Sequence, residues 1–252
     1  MDNTSDLLTL VKEIVLNVSS NILKQDSQKN KSYIFSKDNS KEVKAFADKA
    51  IEKEILDKLA PLGLPILSEE SGFISTSHSN NFFFIVDPLD GTYNFVKNLG
   101  PYGISVALWN DNKPIFGVIY NLLTNQLIYG GAEFGSFCDD KKIRVSSIHS
   151  KQEASICTGF PVNFNFEDNK NSLDFLKMLS SYAKVRMIGS AAISLANVGI
   201  GNTEVYAEKN IMLWDVAAGI AIVDGAGGKY FMNKTSIKWS YDVVAYNGRI
   251  SI

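Results

Sequence analysis

The feature that most constrains this chain is the apolar run FFFIV at residues 82–86, which leads directly into the sequence DPLDGT at residues 87–92. Five consecutive apolar residues predict a strand that is buried on both faces. Pro88 has a fixed φ and no backbone N–H, so we expect the strand to stop and the chain to turn there. The turn allows the carboxylates of Asp87 and Asp90 to point at one spot.

The groups that this turn gathers are those of a magnesium–phosphate site. The carbonyl oxygen of Leu89 stands between the two carboxylates, and magnesium prefers hard oxygen ligands. Gly91 can adopt a positive φ or let another group approach the backbone. Thr92 stands where a helix or turn would start, and free N–H groups at such a start attract anions. A strand that merely ends in an acidic turn is the competing interpretation of this motif alone.

Length and composition are those of a soluble globular protein. The chain has 252 residues, enough for one large or two ordinary domains, with 45% hydrophobic and 21% charged residues. A net charge of −2 without a basic block gives no reason to expect nucleic-acid or anionic-membrane binding. We expect neither a signal peptide nor a membrane span, because no apolar run approaches the roughly 20 residues that a span needs.

The cysteines and histidines give no sign of a disulfide framework or a zinc site. Cys138 and Cys157 are the only cysteines, which favours a reducing cytoplasm. His78 and His149 lie in polar, serine-rich stretches, so we expect solvated loop residues rather than a zinc pair.

The first part of the chain predicts two helices followed by an antiparallel sheet. Apolar residues recur at three- and four-residue spacing over residues 6–24 and 42–59, and Asp48 lies near the apolar face of the second helix. Residues 73–81 are predicted to be a polar loop. Short strands joined by turn residues are predicted at 103–109, 114–121, 126–130 and 130–138. The residues of the second helix predicted to face the core are Val43, Phe46, Ala47, Ala50, Ile51, Ile55 and Leu59.

The pattern changes near residue 145 to alternating strands and helices. We therefore predict an N-terminal α+β half, residues 1–145, with a helix pair and an antiparallel sheet, and a C-terminal α/β half, residues 146–252, with a mixed sheet. In the second half, strands are predicted at 153–158, 184–188, 204–207, 229–232 and 243–247, and helices at 171–181, 191–199 and 213–226.

Two further acidic features stand out, although each is weak alone. Glu69 and Glu70 are adjacent at a predicted strand end, where like charges repel unless a cation or solvent screens them. Asp215 stands where a helix begins, so it could be a simple N-cap. The small residues at 217–219 would let a ligand or another backbone come close.

Together these features resemble the inositol monophosphatase family of metal-dependent, lithium-sensitive phosphatases. The resemblance rests on the order and spacing of Glu69-Glu70, DPLDGT at 87–92, GSAA at 189–192, Glu208 and WDVAAG at 214–219. It extends from the first helix to the last strands. It implies a layered α-β-α-β-α fold of the type shared with fructose-1,6-bisphosphatase, with a site between the two halves.

The resemblance implies two or three Mg²⁺ ions. Residue chemistry agrees, because several carboxylates in one cleft repel one another and should bind divalent cations readily. One ion would activate a water molecule, and a second would stabilise the leaving oxygen. The implied ligands are Glu69, Asp87, the carbonyl of Leu89, Asp90 and Asp215.

The resemblance also assigns the catalytic and substrate groups. Thr92, paired with Asp48, would orient or deprotonate the attacking water, and Glu70 would assist a metal-bound water. Backbone N–H groups of Gly91 and Thr92 would hold the phosphate. Lys37 matches a basic residue near the metals in relatives, with a solvated lysine as the alternative. The residues that would contact the rest of the substrate are Gly189, Ser190, Ala191 and Glu208.

The expected reaction is the hydrolysis of inositol monophosphate or a related small sugar or polyol phosphate, by a cytoplasmic protein that could be a homodimer by analogy. Asn94 and Phe95 favour this branch of the family. Residues 67–70 and 37–40 instead resemble the 3′(2′),5′-bisphosphate nucleotidases, and residues 43–48 depart from the usual Thr-rich approach to the aspartate. Histidinol-phosphate and fructose-1,6-bisphosphate phosphatases are further alternatives. A regulatory binding protein that keeps the fold is the non-enzyme alternative.

Overall fold

The structure is a computed structural model that describes residues 4–24, 33–35, 43–76, 81–160 and 169–252. Lys37, the turn at 37–40 and the loop predicted at 25–31 lie outside the described residues. Within the described ranges, no helix combines the length and the hydropathy needed to cross a membrane.

The helices and strands of the N-terminal part agree with most of the predicted positions. In chain order they are α1 Thr4–Lys24, β1 Tyr33–Phe35, β2 Val43–Ala45, α2 Phe46–Leu59, β3 Ile66–Ser68, β4 Gly72–Ile74, β5 Phe82–Asp90, α3 Thr92–Lys97, β6 Gly103–Asn110, β7 Lys113–Asn121, β8 Gln126–Gly131, β9 Gly135–Cys138 and β10 Lys141–Lys142. A short 3-10 turn, Ala60–Leu62, follows α2, and Gly63 ends it in the left-handed conformation at φ 70°.

The C-terminal part alternates strands and helices as the sequence predicts. Its elements are β11 Ser155–Cys157, α4 Asn169–Ser180, β12 Lys184–Arg186, α5 Ala191–Ile200, β13 Val205–Met212, α6 Leu213–Gly225, β14 Lys229–Lys234 and β15 Ser240–Tyr246.

Two large sheets organise the described residues. The first has eight strands in the order β10-β9-β8-β7-β6-β5-β3-β4, antiparallel except where β3 runs parallel to β5. The second has five strands in the order β12-β11-β13-β15-β14, in which β11 runs parallel to both β12 and β13. The first sheet takes its strands from before residue 145 and the second from after it. The division into two halves nevertheless stays a prediction.

The two sheets and the helices form five layers. Phe84 and Val86 of β5 belong to one apolar cluster with residues of α1 and α2, whereas Ile85 belongs to a second cluster with residues of α5 and α6. This alternation follows from the two-residue period of a strand, and both faces are apolar because both are covered. Helix α4 packs on the outer face of the second sheet, where Leu179 lies in one cluster with Ile156. The predicted α-β-α-β-α fold is therefore confirmed.

Two local predictions in the N-terminal part are wrong. The second helix begins at Phe46 rather than at residue 42, because residues 43–45 form β2 and pair with β1. Pairing with the preceding strand has overridden the local helical spacing. Phe46 is 61% exposed and Ala50 is also exposed, so neither faces the core. Part of the predicted loop at 73–81 is strand, since β4 pairs with β3.

Pro88 does not end its strand, contrary to the prediction. Strand β5 continues to Asp90, and the pairing with β6 shifts register between Asp87 and Asp90. Asp87 lies opposite Ser105 and Asp90 lies opposite Gly103, so β5 contains one extra residue there. A bulge of this kind is a position where a strand tolerates proline, and it redirects the side chains that follow.

Candidate active site

Three carboxylates converge where β5 ends beside the first turn of α6. One oxygen from each of Asp87, Asp90 and Asp215 lies within 4.8 Å of the other two. Asp87 and Asp90 are buried, and Asp215 is half-buried. The fold brings Asp215 to this point because α6 lies between the two sheets and packs directly against β5, β6 and β7.

Asp90 is held by the N-terminus of α5. The hydroxyl of Ser190 and the backbone N–H groups of Ala191 and Ala192 donate to its carboxylate, the latter two at 3.3 and 2.9 Å. Burial raises the pKa of Asp90 to about 6, and these hydrogen bonds oppose that rise. Ser190 also caps α5, because its oxygen accepts from the N–H of Ile193. Direct contact of Ser190 and Ala191 with substrate stays a prediction.

Asp87 has one oxygen that no hydrogen-bond donor among the described residues satisfies. The N–H of Leu89 donates to Oδ1 at 3.0 Å, whereas Oδ2 is buried and has no hydrogen-bond partner among the described residues. Burial raises the pKa of Asp87, and the charges of Glu69, Asp90 and Asp215 raise it further. A buried, unpaired carboxylate oxygen is costly, and a bound cation is the partner that would satisfy it.

Glu69 and Glu70 extend the negative charge beyond the three converging aspartates. Burial raises the pKa of Glu69 to about 8, and the nearby charges of Asp48, Glu70 and Asp90 add to the effect. Glu69 directly follows β3, and its backbone N–H donates to the carbonyl of Val86 at 3.1 Å. Glu69 therefore stands at the same sheet edge as Asp90, and its carboxyl group contacts that of Asp87.

The carboxyl of Asp215 also lies among other acids, and it approaches the cluster from α6. Burial raises its pKa, and the charges of Glu69, Asp90 and Glu208 raise it further, against one hydrogen bond from the N–H of Met212 at 3.2 Å. Asp215 is the third residue of α6, so this bond also caps the helix. Asp215 is therefore not the N-cap, a position that Met212 occupies, and its carboxylate also belongs to the cluster.

The hydroxyl of Thr92 connects this cluster with Asp48. Its Oγ1 lies 3.3 Å from Oδ1 of Asp48 and 3.0 Å from the carbonyl oxygen of Leu89. Asp48 lies in the first turn of α2 and is only 2% exposed. Because the hydroxyl has one proton, it donates to one of these oxygens at a time. Asp48 is thus placed to accept a proton through the hydroxyl of Thr92. The catalytic role of these two residues stays a prediction.

Asn94, a residue that the sequence marked only as a branch indicator, joins the two parts of the site. Its amide donates to the carbonyls of Pro101 at 2.9 Å and of Ile188 at 2.7 Å, which fixes α3 against the turn before α5. Gly91 precedes α3 with φ 85°, and a Cβ there would lie 2.9 Å from the oxygen of Pro101 and 3.2 Å from that of Gly189. Only glycine fits this close approach. The position of an asparagine directly after the DPLDGT motif was the available sequence signal.

Glu208 stands on β13 at the other side of the cluster. The hydroxyl of Tyr206 donates to its Oε2 at 3.0 Å. Burial raises the pKa of Glu208 to about 7, and the charge of Asp90 contributes, whereas the bond from Tyr206 opposes the shift. A Cβ at Gly159 would lie 2.6 Å from Oε1 of Glu208. Sequence reasoning missed both Tyr206 and Gly159, since neither lies in a recognisable motif.

This set of donors fits magnesium. The groups are carboxylate and carbonyl oxygens on three elements, they include an unsatisfied buried oxygen, and no thiol or imidazole is among them. Glu69, Asp87, the carbonyl of Leu89, Asp90 and Asp215 are the residues that would hold the ions.

The raised pKa values predict how pH affects the metal-stripped protein. The pKa of Glu69 rises from 4.5 to about 8, and that of Glu208 rises from 4.5 to about 7. Each carboxyl favours the folded state while protonated, and this contribution is lost as pH rises through the folded pKa. We therefore expect the melting temperature in chelator to fall between about pH 5 and pH 8.

Excess Mg²⁺ should restore more stability at pH 8 than at pH 6, because it binds the deprotonated ligands. Differential scanning calorimetry with chelator or Mg²⁺ across this range measures both effects. A melting temperature that rises with pH in chelator, together with a Mg²⁺ effect independent of pH, would contradict the expectation.

Comparison with known proteins places these observations in context. A sequence model of the inositol monophosphatase family matches residues 4–248 of this chain. An inositol-1-monophosphatase of Caulobacter vibrioides is 35% identical over 182 residues, which are 70% of this chain and 69% of that protein. The Nus factor SuhB of Xylella fastidiosa is 32% identical over 191 residues, 76% of this chain and 68% of that protein. The crystal structure of the extragenic suppressor protein SuhB from Bartonella henselae superposes with a TM-score of 0.85 at 29% identity, covering 97% of this chain and 95% of the other.

Proposed function

This chain belongs to the inositol monophosphatase family of phosphatases, and from that premise we propose that it is a magnesium-dependent phosphomonoesterase that hydrolyses inositol monophosphate or a related small sugar phosphate. The observation that carries the proposal is the convergence of Asp87, Asp90 and Asp215, whose carboxylate oxygens lie within 4.8 Å of one another, together with a buried oxygen of Asp87 that has no hydrogen-bond donor among the described residues. Such a cluster is electrostatically unfavourable until a divalent cation neutralises it.

The metal ligands in this proposal are Glu69, Asp87, the carbonyl of Leu89, Asp90 and Asp215, which would hold two or three Mg²⁺ ions. When bound, the ions would lower the pKa of a water nucleophile and neutralise charge on the leaving oxygen. The protein keeps the ligands in place through the donors at the start of α5, which hold Asp90, and through Thr92, which contacts the Leu89 carbonyl.

The remaining catalytic steps belong to side chains and backbone groups of this chain. Asp48 would accept the proton of the attacking water through the hydroxyl of Thr92, which lies 3.3 Å away. Glu70 would assist a second water. The N–H groups of Gly91 and Thr92 would hold the phosphate at the start of α3.

Substrate recognition centres on Glu208 in this proposal. A half-buried carboxylate oriented by Tyr206 and facing Gly159 is suited to accept hydrogen bonds from the hydroxyls of a polyol. Gly189, Ser190 and Ala191 would line the same side of the substrate, and Lys37 would approach it from outside the described residues. Among the described residues, the charges with the largest effects on Glu69 and Asp215 are those of other acids, which favours a neutral polyol over a second phosphate.

Three other substrate classes and one non-enzyme role are tested by the same experiment. Residues 67–70 resemble the bisphosphate nucleotidases, and fructose-1,6-bisphosphate and histidinol phosphate are further candidate substrates. A relative named Nus factor SuhB supports a second, regulatory role as a binding protein. The retained carboxylate cluster favours an enzyme, because binding a partner does not require it.

A substrate panel tests the proposed function. Phosphate release is measured with Mg²⁺, with and without Li⁺ as a competing ion, from inositol 1-phosphate, glucose 1-phosphate, fructose 1,6-bisphosphate, histidinol phosphate and adenosine 3′,5′-bisphosphate. We expect inositol or sugar monophosphates to give the highest kcat/KM. A preference for the nucleotide would overturn the substrate assignment, and no release from any of them would favour the binding protein.

Glu208→Gln is expected to act on substrate choice rather than on chemistry. Loss of a charged acceptor for a substrate hydroxyl should lower kcat/KM for inositol 1-phosphate by about 10- to 100-fold. Hydrolysis of p-nitrophenyl phosphate, which has no hydroxyls to bind, should change little. An equal loss on both substrates would contradict the assigned role.

The proposed setting is the cytoplasm, which the two free thiols of Cys138 and Cys157 support. A homodimer is proposed by analogy with the family, and light scattering coupled to gel filtration measures it.

A further inference from the structure

Glu52 is a buried acid that sequence reasoning did not connect with the site. It lies on α2 one helical turn after Asp48, and its side chain is only 6% exposed. Its carboxylate accepts three hydrogen bonds from two serines. The hydroxyl of Ser68 donates to Oε1 at 2.5 Å, the N–H of Ser71 donates to Oε1 at 2.9 Å, and the hydroxyl of Ser71 donates to Oε2 at 2.8 Å.

The two serines flank the acidic pair of the candidate site. Strands β3 and β4 form a hairpin in which Ser68 pairs with Gly72, so Glu69, Glu70 and Ser71 make up its loop. Glu52 therefore binds the residue before the acidic pair and the residue after it. On the other side, the N–H of Glu69 is fixed to the carbonyl of Val86. The backbone of the acidic pair is thus held from α2 and from β5.

The hydrogen bonds from the two serines to Glu52 oppose the electrostatic repulsion between Glu69 and the neighbouring carboxylates. Glu69 lies near the charges of Asp48, Glu70 and Asp90, all of which disfavour its ionised form. A three-residue hairpin loop at the end of short strands would relieve this repulsion by moving outward. Hydrogen bonds to a buried carboxylate are short and strong, and here they resist that movement. Burial of an acid at this position is costly, so a hydrophobic residue would serve better if only packing mattered.

We propose that Glu52 is a positioning residue that holds the Glu69–Glu70 loop in the geometry required for metal binding, an inference that rests on the proposed function of the site. Glu52 contacts neither metal nor substrate. Its effect reaches the ions through the backbone of the loop, in the way that outer-sphere groups orient metal ligands.

The test compares Mg²⁺ affinity in three variants with the wild-type chain. Glu52→Ala removes all three hydrogen bonds, whereas Glu52→Gln keeps one oxygen that can accept from Ser68 and from the Ser71 N–H. Ser71→Ala removes only one bond. Asp57→Asn, an exposed acid on the same helix, is the control for charge. Mg²⁺ affinity is measured by isothermal titration calorimetry, and folding by circular dichroism.

We expect Glu52→Ala to bind Mg²⁺ about 10- to 100-fold more weakly, and the Mg²⁺ concentration required for half-maximal activity should rise by the same factor. Glu52→Gln and Ser71→Ala should fall between this variant and the wild type, and Asp57→Asn should match the wild type. If Glu52→Ala does not fold, the two milder variants decide the question.

A purely structural role would lower the melting temperature but leave Mg²⁺ affinity unchanged, and that result in a folded variant would overturn the proposal. A different set of results would disprove the proposed function. If the wild-type chain binds no Mg²⁺ and releases no phosphate, the function is wrong. If the wild type binds Mg²⁺ and all variants bind it equally, only the role of Glu52 is wrong.

Discussion

Replacement of Asp87 by asparagine should lower Mg²⁺-dependent phosphate release by more than about 100-fold while it raises the melting temperature of the metal-stripped protein. The change removes one negative charge from a buried cluster in which Glu69, Asp90 and Asp215 already raise the pKa of Asp87. It also removes a proposed metal ligand, and loss of a ligand should exceed the roughly 10- to 100-fold effect of changing a group that only orients one. The two effects have opposite signs because the charge of Asp87 destabilises the metal-stripped protein, whereas Mg²⁺ binding requires that charge.

The measurement combines calorimetry in chelator and in excess Mg²⁺ with an assay of phosphate release. The wild-type chain should gain stability from Mg²⁺, and Asp87→Asn should gain little. Asp111→Asn is the matched control, because Asp111 lies in an exposed turn at φ 51°, a conformation that asparagine accepts readily. If Asp87→Asn lost stability in chelator and kept the full Mg²⁺ effect, Asp87 would not be a ligand.

Replacement of Thr92 by valine is expected to reduce kcat by about 100- to 10,000-fold, the usual contribution of a positioned proton acceptor. Valine keeps the shape of the side chain and removes the hydroxyl that lies between Asp48 and the carbonyl of Leu89. Because the proposed metal carboxylates are untouched, Mg²⁺ affinity should change much less than kcat. Thr92→Ser restores a hydroxyl and should recover most of the rate.

The coupling of Thr92 with Asp48 is measured by a double-mutant cycle. If the two act as one unit, Asp48→Asn combined with Thr92→Val should be little slower than either change alone. Additive losses would show that they act independently. Equal activity of Thr92→Val and the wild type would remove Thr92 from the mechanism.

The sequence was most informative at residues 82–90, where a buried strand and two site carboxylates are adjacent in the chain. The apolar run at 82–86 predicted the buried strand that became β5, and its acidic end predicted the positions of Asp87 and Asp90. Asp215 could not be placed by local spacing, because only the packing of α6 against β5 brings it to the cluster. Its assignment depended on the resemblance of several motifs across the chain.

The errors have physical causes that short-range patterns do not contain. Residues 43–45 look helical in isolation, but pairing with β1 decides their conformation. Pro88 continues its strand because a bulge removes the need for its missing N–H. Glu52 reads as an ordinary charged residue on a helix, and only the fold shows that the β3–β4 hairpin covers it.

Other properties of the site depend on tertiary packing and cannot be predicted from local sequence. The unsatisfied oxygen of Asp87 and the raised pKa of Glu208 both depend on burial that no motif encodes. The close approach of Gly159 to Glu208 joins two segments that are distant in the chain.

The most direct test of the central claim is a Mg²⁺ titration of the metal-stripped chain, with phosphate release from inositol 1-phosphate and Mg²⁺ binding followed on the same sample. We expect no release above background in chelator, a saturable return of activity that follows occupancy of the site, and loss of both Mg²⁺ binding and activity in Asp87→Asn. Release that continues in chelator, or that persists unchanged in Asp87→Asn, would contradict it.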